Sequence, residues 1–300
     1  MKQRLTFCSV ILPGQALEKN SLTLAESIRA FGGRLSANPI WFFLPDDGRR
    51  LTDGAQQRLH ELEVSLIPLN MDREGSKFFF MPQLAGLAQV EKISQGETEI
   101  LAWMDSNTIL LAEPADFNLP AEKSLAYCPV HHLLLGSRFD QPLDPFWTQI
   151  YQRCQVQPER VFPMRPVIED LQMRPYFNAG LLVARPERGL FARWYATFKS
   201  LYQLPEFQAF YEQDPRYAIF MHQAVLAGVV LGYLEHTELC ELPHGYNYPL
   251  HLHEQHQPGL RPASLDELVT LRHENFSQDA SKAQKIPSSE RLVNWLAERA

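Results

Sequence analysis

The polar triplet Asp105-Ser106-Asn107 contains residue types that bind hard cations. It follows Ile100–Met104, a segment that is apolar at every position and therefore typical of a strand buried on both faces. Ligands of open α/β sheets bind beyond the carboxyl ends of the strands. A carboxylate and an amide oxygen at such an end would suit a divalent cation that also holds a diphosphate. The alternative interpretation is a simple turn between two strands, since Asp, Ser and Asn all favour turns.

Two further polar groups interrupt apolar segments. Asn178 precedes Ala179-Gly180 in "YFNAGLLVARP", where the small residues would let a ligand approach the backbone and the amide could read a hydroxyl. His222 and Gln223 lie in the otherwise apolar segment "AIFMHQAVLAGVVL", and a buried polar pair needs hydrogen-bond partners. These residues could face a ligand pocket. They could equally satisfy backbone groups, Asn178 in a turn that enters the strand and the His-Gln pair against loop carbonyls.

The elements that must position these residues alternate along the first half of the chain. Four segments are strand-like, and helix-like segments separate them: "LTFCSVIL", "PIWFFLP", "VSLIPL" and "EILAWM". This alternation predicts βαβ crossovers and an α/β fold with a mixed, mainly parallel sheet flanked by helices. We expect a single α/β domain over residues 1–300, with a more elaborate second half that ends in a helix.

Composition argues against several classes of protein. The net charge of −7 and the pI of about 5.8 disfavour a broad basic surface for nucleic acid. Four scattered cysteines without a CxxC pair are typical of reduced thiols in a cytosolic protein. The longest late apolar segment is too short and too polar to span a bilayer, so we expect a cytoplasmic protein with no membrane span. The chain has no P-loop, GxGxxG or GxSxG motif, which disfavours kinases, dinucleotide oxidoreductases and α/β hydrolases.

Several motifs follow one another in an informative order. "WMDSNTILLAEP" comes first, then "YFNAGLLVARP", the His-Gln pair, "ELPHGYNY" and a late histidine in "LRHENF". In this order they resemble the GT-A nucleotide-sugar glycosyltransferases, most closely the family 8 branch, which is glycogenin-like and galactosyltransferase-like. The resemblance runs from about Glu99 to His273. It implies a nucleotide-binding half over about residues 1–115 and an acceptor or sugar half over about 116–300.

The resemblance also implies a reaction and a set of site residues. The protein would transfer a sugar from a nucleoside diphosphate sugar to an unknown acceptor, with retention of configuration, and Mn²⁺ or Mg²⁺ would bridge the diphosphate. Asp105, Asn107 and His273 lie at or near the sequence positions of the family's metal ligands. The predicted catalytic residues are Asn178, His222 and Gln223, and Asn178 would line the donor-sugar pocket with Ala179 and Gly180. The remaining residues that would contact the donor are Pro13 near the base, Lys77, Ser106, Tyr246 and Asn247.

The sequence departs from the family at two of these positions. Asn107 replaces the second aspartate of the metal motif, and the lost negative charge should weaken Mn²⁺ or Mg²⁺ binding. His222 replaces the aspartate of an Asp-Gln pair. After His273 the family's Gly…Lys-Pro-Trp ending is missing, so Lys282 and Lys285 are the cations left as phosphate partners.

Three states are compatible with these departures. The protein could be a transferase that needs little metal, an enzyme with altered donor chemistry, or a non-catalytic relative that binds a nucleotide sugar or a protein partner. An unrelated phosphatase-like protein with Asp105 as nucleophile would need an acid/base set that the sequence does not supply.

Overall fold

The computed structural model describes residues 4–71, 78–256, 258–274, 276–283 and 285–299. The strands of this part are β1 (Leu5–Val10), β2 (Ile40–Pro45), β3 (Val64–Leu69), β4 (Ile100–Met104), β5 (Thr108–Leu110), β6 (Leu125–Pro129), β7 (Phe177–Ala184), β8 (Leu239–Glu241), β9 (Tyr248–Pro249) and β10 (Thr270–Arg272). Its helices are α1 (Gln15–Phe31), α2 (Asp53–Glu61), α3 (Met81–Ile93), α4 (Pro145–Arg153), α5 (Leu190–Leu201), α6 (Pro205–Gln213), α7 (Pro215–Tyr233), α8 (Phe276–Ala283) and α9 (Glu290–Ala297). Lys77, which the resemblance places at the donor, lies outside the described residues.

The chain forms two compact units. Unit 1 comprises the described parts of Met1–Asn70, Ile100–Asn118 and Leu242–Ala300, and unit 2 those of Met71–Glu99 and Leu119–Glu241. The predicted fold class, a mixed α/β architecture with mainly parallel strands and flanking helices, is confirmed. The single domain over residues 1–300 stays a prediction.

Four parallel strands form the core of unit 1. Their order is β3-β2-β1-β4, and each neighbouring pair is parallel. All five residues of β4 are buried, as its uninterrupted apolar sequence predicts. Because the four strands are parallel, their last residues lie at one edge of the sheet, which we call the carboxyl edge: Val10, Pro45, Leu69 and Met104.

A small second sheet follows β4 in unit 1. The Asp105-Ser106-Asn107 triplet is a turn, in which Thr108 N donates to Asp105 O at 3.0 Å. The chain does not turn back on β4, because β5 pairs antiparallel with β10, and β10 pairs parallel with β9. This pairing places Arg272 opposite Thr108. The turn therefore leads from β4 of the parallel sheet to β5, and the strand that pairs with β5 comes about 160 residues later in the chain.

Unit 2 is built on the strand order β7-β6-β8, with β7 antiparallel and β8 parallel to β6. All eight residues of β7 are buried, and the strand begins at Phe177. Asn178 therefore lies inside the strand rather than in a turn that precedes it. Helix α5 packs against α3 and α7. The first turn of α5 is held by Glu91 of α3, whose carboxylate accepts hydrogen bonds from Phe191 N at 3.1 Å and Ala192 N at 2.8 Å.

Close packing at the end of α7 gives a stability prediction. A Cβ atom at Gly232 would lie 2.1 Å from the Cys154 carbonyl oxygen, whereas a Cβ atom at Gly54 in α2 would have no neighbour within 4 Å. Gly232→Ala should lower the free energy of unfolding by about 1–3 kcal/mol through overpacking. Gly54→Ala, the matched control, should raise it by up to about 1 kcal/mol, since alanine is the better helix former. Urea denaturation measures both, and a Gly232→Ala variant as stable as the wild type would contradict this packing.

The buried Glu91 carboxyl predicts a pH dependence of stability. Glu91 is 1 % exposed, and burial raises its pKa from 4.5 to about 7, against the opposing effect of the backbone N–H donors. Between these two pH values the native state binds more protons than the unfolded chain, so Glu91 should stabilise the fold less as the pH rises. The free energy of unfolding of the wild type minus that of Glu91→Gln should therefore fall as the pH rises from 4.5 to 7. Urea denaturation at pH 5 and pH 7.5 measures it, and a difference that grows with pH would contradict the raised pKa.

Candidate functional site

An ion pair occupies the turn that follows β4. Arg272 Nη1 donates to Asp105 Oδ2 at 3.0 Å, and the two side chains are 18 % and 20 % exposed. Burial raises the pKa of the Asp105 carboxyl, and the Arg272 guanidinium opposes that rise. The pair lies at the carboxyl edge of unit 1, and each of its side chains keeps a small exposed fraction.

Asn107 ties the turn to the end of β10. Its Nδ2 atom donates to His273 O at 2.7 Å, and His273 N donates to Asn107 O at 3.1 Å. Asn107 Oδ1 is buried and has no hydrogen-bond partner within the described part of the chain. The side chain therefore acts here as a hydrogen-bond donor, which an aspartate carboxylate cannot do.

The His273 ring lies in a closed environment. It is fully buried and packs on Phe276, with ring centroids 5.2 Å apart. Burial lowers its pKa to about 4, against the raising effect of Asp279, so the imidazole is neutral at pH 7. Neither ring nitrogen has a hydrogen-bond partner among the described residues. Successive residues of an extended segment project to opposite faces. Arg272 contacts Asp105, so the next residue, His273, projects away from it.

The three predicted metal ligands, Asp105, Asn107 and His273, fit a diphosphate-bridging cation poorly. The single carboxylate among them already pairs with Arg272. Asn107 Oδ1 and both His273 nitrogens are closed to solvent, whereas a cation that binds a diphosphate must be open on the ligand side. No group of three His, Cys, Asp or Glu side chains that could hold a metal occurs in the described residues. The Mn²⁺ or Mg²⁺ site stays a prediction, and this geometry does not support it.

Tyr246 and Asn247 shape the loop that leads to β9. The Tyr246 hydroxyl donates to Asp116 Oδ2 at 2.9 Å, and its ring packs near Phe117 with centroids 5.5 Å apart. Asn247 has a left-handed backbone with φ of 52°, and its N–H donates to Thr270 Oγ1 at 2.6 Å. Both residues are almost fully buried. Asn247 therefore supports β10, and Tyr246 supports the segment that follows β5.

The remaining predicted residues of unit 1 lie at the carboxyl edge. Pro13 is half-buried in the loop after β1, and Ser106 is half-buried in the turn after β4. Since β1 and β4 are adjacent and parallel, these two loops leave the sheet at the same edge. A hollow of about 380 Å³ lies at the ends of β2 and β3, between Pro45 and Pro68. The edge thus offers both polar groups and space.

In unit 2 the backbone of Ala179 is held by two glutamine side chains. Ala179 N donates to Gln223 Oε1 at 3.1 Å, and Gln83 Nε2 donates to Ala179 O at 2.9 Å. Asn178 Oδ1 accepts from Gly180 N at 2.9 Å. Sequence reasoning missed Gln83, although it shares with Gln223 the only available signal, an amide side chain within a largely apolar helix.

His222 lies in an aromatic cluster. Its ring stacks on Phe80 with centroids 4.3 Å apart, and Trp194 Nε1 donates to His222 O at 2.8 Å. His222 Nδ1 lies 2.9 Å from Ile219 O, and because a carbonyl can only accept, Nδ1 carries the proton. His222, where the resemblance to family 8 expects an aspartate, is thus an imidazole in contact with aromatic rings.

Unit 2 also contains a cavity. It has a volume of about 530 Å³ and lies beside α4, with Phe139, Tyr151 and Arg174 among its lining residues. None of the site residues predicted from the sequence lines it.

The comparison with protein families decides the class of this protein. Residues 8–230 match the family described as the Rhodobacterales glycosyltransferase domain, which is well over half of the chain. The chain belongs to this family. No curated protein matches the sequence.

The glycosyltransferase match covers only some of the candidate residues of the two units. It includes Asp105–Asn107, Asn178 and Gln223, whereas Arg272 and His273 lie beyond residue 230. The predicted glycosyltransferase class and α/β fold are confirmed, and the family 8 branch and the metal motif stay predictions. No helix in the part of the chain that the structure describes has both the length and the hydropathy that a membrane span requires.

The donor role of Asn107 gives a testable prediction. Asn107→Asp, which places a carboxylate at this position, should lower the free energy of unfolding by about 1–3 kcal/mol, because a carboxylate would face the His273 carbonyl without donating to it. Asn118→Asp is the matched control. Asn118 also donates to a carbonyl, Ala115 O at 3.1 Å, but it is exposed, so the change should cost less than about 0.5 kcal/mol. Equal effects of the two substitutions in urea denaturation at pH 7 would contradict the prediction.

Proposed function

We propose that this glycosyltransferase transfers a sugar from a nucleoside diphosphate sugar to an acceptor and binds the donor at the carboxyl edge of unit 1. Membership of the glycosyltransferase family carries the proposal. The position of the loops after β1 and β4 supports it, because ligands of open α/β sheets collect at this edge. The hollow beyond β2 and β3 adds room there for a nucleotide.

The chemistry of such a transfer makes two demands on the protein. Negative charge develops on the departing nucleoside diphosphate and must be stabilised by a nearby cation or by hydrogen-bond donors. The acceptor hydroxyl must be held in line with the anomeric carbon, which is a task of positioning. Arg272, partly exposed at the carboxyl edge, is a cation of the kind that the first demand requires.

A second candidate function is binding of a nucleotide sugar without transfer. It is favoured by the contacts of two predicted catalytic residues. Gln223 accepts a hydrogen bond from the backbone of Ala179, and His222 donates one to the carbonyl of Ile219. Side chains that satisfy backbone groups are less free to act on a substrate. The catalytic roles of Asn178, His222 and Gln223 therefore stay predictions.

Release of nucleoside diphosphate distinguishes the two candidates. The purified protein is incubated with UDP-, GDP-, ADP- and dTDP-sugars, with water and simple saccharides as acceptors, and the products are measured by mass spectrometry. We expect release from at least one donor, and a fall of about tenfold or more in Arg272→Ala, since a charged hydrogen bond to the leaving group is lost. Asp140→Ala, which removes the partner of Arg138 on the surface of unit 2, is the control and should leave the rate unchanged.

Binding of a donor without release would support the non-catalytic candidate. If the protein neither binds any of the donors nor releases nucleoside diphosphate from them, both candidate functions are contradicted.

A further inference from the structure

We propose that Arg272, anchored on Asp105, neutralises the donor's phosphate groups in place of a divalent cation, so that nucleotide binding to this chain needs no metal. The inference rests on the proposed function, because it concerns the donor of that reaction. It assigns Arg272 as the phosphate-binding residue and Asp105 as a residue that positions it.

Arg272 has hydrogen-bond donors that its ion pair does not use. Of the five N–H groups of its guanidinium, the ion pair with Asp105 uses one on Nη1. Nε and Nη2 have no hydrogen-bond partner among the described residues, and the side chain is 18 % exposed. A guanidinium can form two parallel hydrogen bonds to a phosphate group. Arg272 can therefore contact a phosphate group while it remains on Asp105.

The backbone holds Arg272 firmly at this position. It lies in β10, opposite Thr108 of β5 on one side and Pro249 of β9 on the other. The hydrogen bonds between Asn107 and His273 continue the pairing by one residue. Only the outer part of the side chain is left to adjust, which reduces the entropy lost when it binds an anion.

The other cations near the end of β10 are less suited to this role. Lys282 Nζ pairs with the buried Asp279 carboxylate at 2.9 Å. His251 lies 3.6 Å from Glu274 Oε1, and burial lowers its pKa, so its ring is mainly neutral at pH 7. Arg272 carries a planar guanidinium that is partly exposed beside the turn at the carboxyl edge.

A metal bound at Asp105 would require a different arrangement. The cation would have to share with Arg272 the only carboxylate among the predicted ligands, and the guanidinium would repel it. Metal-dependent and metal-free binding therefore predict opposite results for substitutions of Asp105 and Arg272.

Isothermal titration calorimetry with the full chain tests the proposal. The probes are UDP, GDP, ADP and dTDP, each titrated in EDTA and in MnCl₂, and inorganic pyrophosphate, titrated in EDTA alone. We expect the wild type to bind at least one nucleotide with dissociation constants that agree within about threefold in the two buffers. Arg272→Gln should weaken binding about 10- to 100-fold, because it removes a charged, bidentate contact.

Two further variants sharpen the comparison. Asp105→Asn should weaken binding by less than about fivefold, because the amide oxygen can still accept from Arg272 Nη1 and hold the guanidinium in place. Arg138→Gln breaks another Arg-Asp pair, with Asp140 in unit 2, and should bind like the wild type. Circular dichroism checks the fold of each variant. If Arg272→Gln does not fold, Arg272→Lys replaces it and should bind about 3- to 10-fold more weakly than the wild type, since it keeps the charge and loses the planar fork.

The outcomes separate the inference from the proposed function. Nucleotide binding that needs Mn²⁺ and is lost in Asp105→Asn would overturn the role of Arg272 and leave the proposed function intact. Binding in EDTA that is unchanged in the Arg272 variant would do the same. A folded wild type that binds no nucleotide in either buffer would overturn the proposed function, and the inference with it.

Discussion

The candidate site of unit 1 depends on the register between β5 and β10. That register places Arg272 opposite Thr108, and the Asn107 side chain then reaches the carbonyl of His273. A shift by one residue would exchange the faces of Arg272 and His273, because the side-chain period of a strand is two. The imidazole would then face the Asp105 side, and the guanidinium would enter the closed environment next to Phe276. The chemistry at the carboxyl edge thus follows from one backbone pairing.

Several of the polar residues that the sequence singles out satisfy backbone groups. Gln223 accepts a hydrogen bond from Ala179 N, and Asn107 donates one to a carbonyl of the neighbouring segment. Gln83, which the sequence does not single out, donates to Ala179 O in the same way. A buried N–H or C=O group without a partner is costly, so an amide within an apolar element is commonly recruited by the backbone. The Asp105–Arg272 pair differs, because both of its side chains are about one-fifth exposed.

The local features of the fold could be predicted from the sequence. The apolar runs identify β1 to β4, and the end of β4 identifies Asp105 as a residue of the carboxyl edge. A turn at the entrance of a strand is one of the two alternatives for Asn178, and the residue lies inside β7 instead. Such features depend on residues that are close in sequence.

The partner of Asp105 could not be predicted in this way. It comes from β10, about 160 residues later, and a non-local antiparallel pairing leaves no periodic signal that states its register. The resemblance to family 8 pointed to His273, one residue away from Arg272. The sequence alone suggests that Asn107 is a weakened metal ligand. The structure gives a further reason for an asparagine at this position, because its amide donates a hydrogen bond that an aspartate carboxylate could not donate.

The most direct test of the central claim is a crystal structure of the chain with a bound nucleoside diphosphate, grown with Mn²⁺ and measured at the manganese absorption edge. We expect a phosphate oxygen within about 3 Å of an Arg272 nitrogen, with Asp105 still paired to the guanidinium and no anomalous peak between them. An anomalous peak on the Asp105 carboxylate, with Arg272 displaced from it, would show that a metal and not Arg272 binds the phosphate groups.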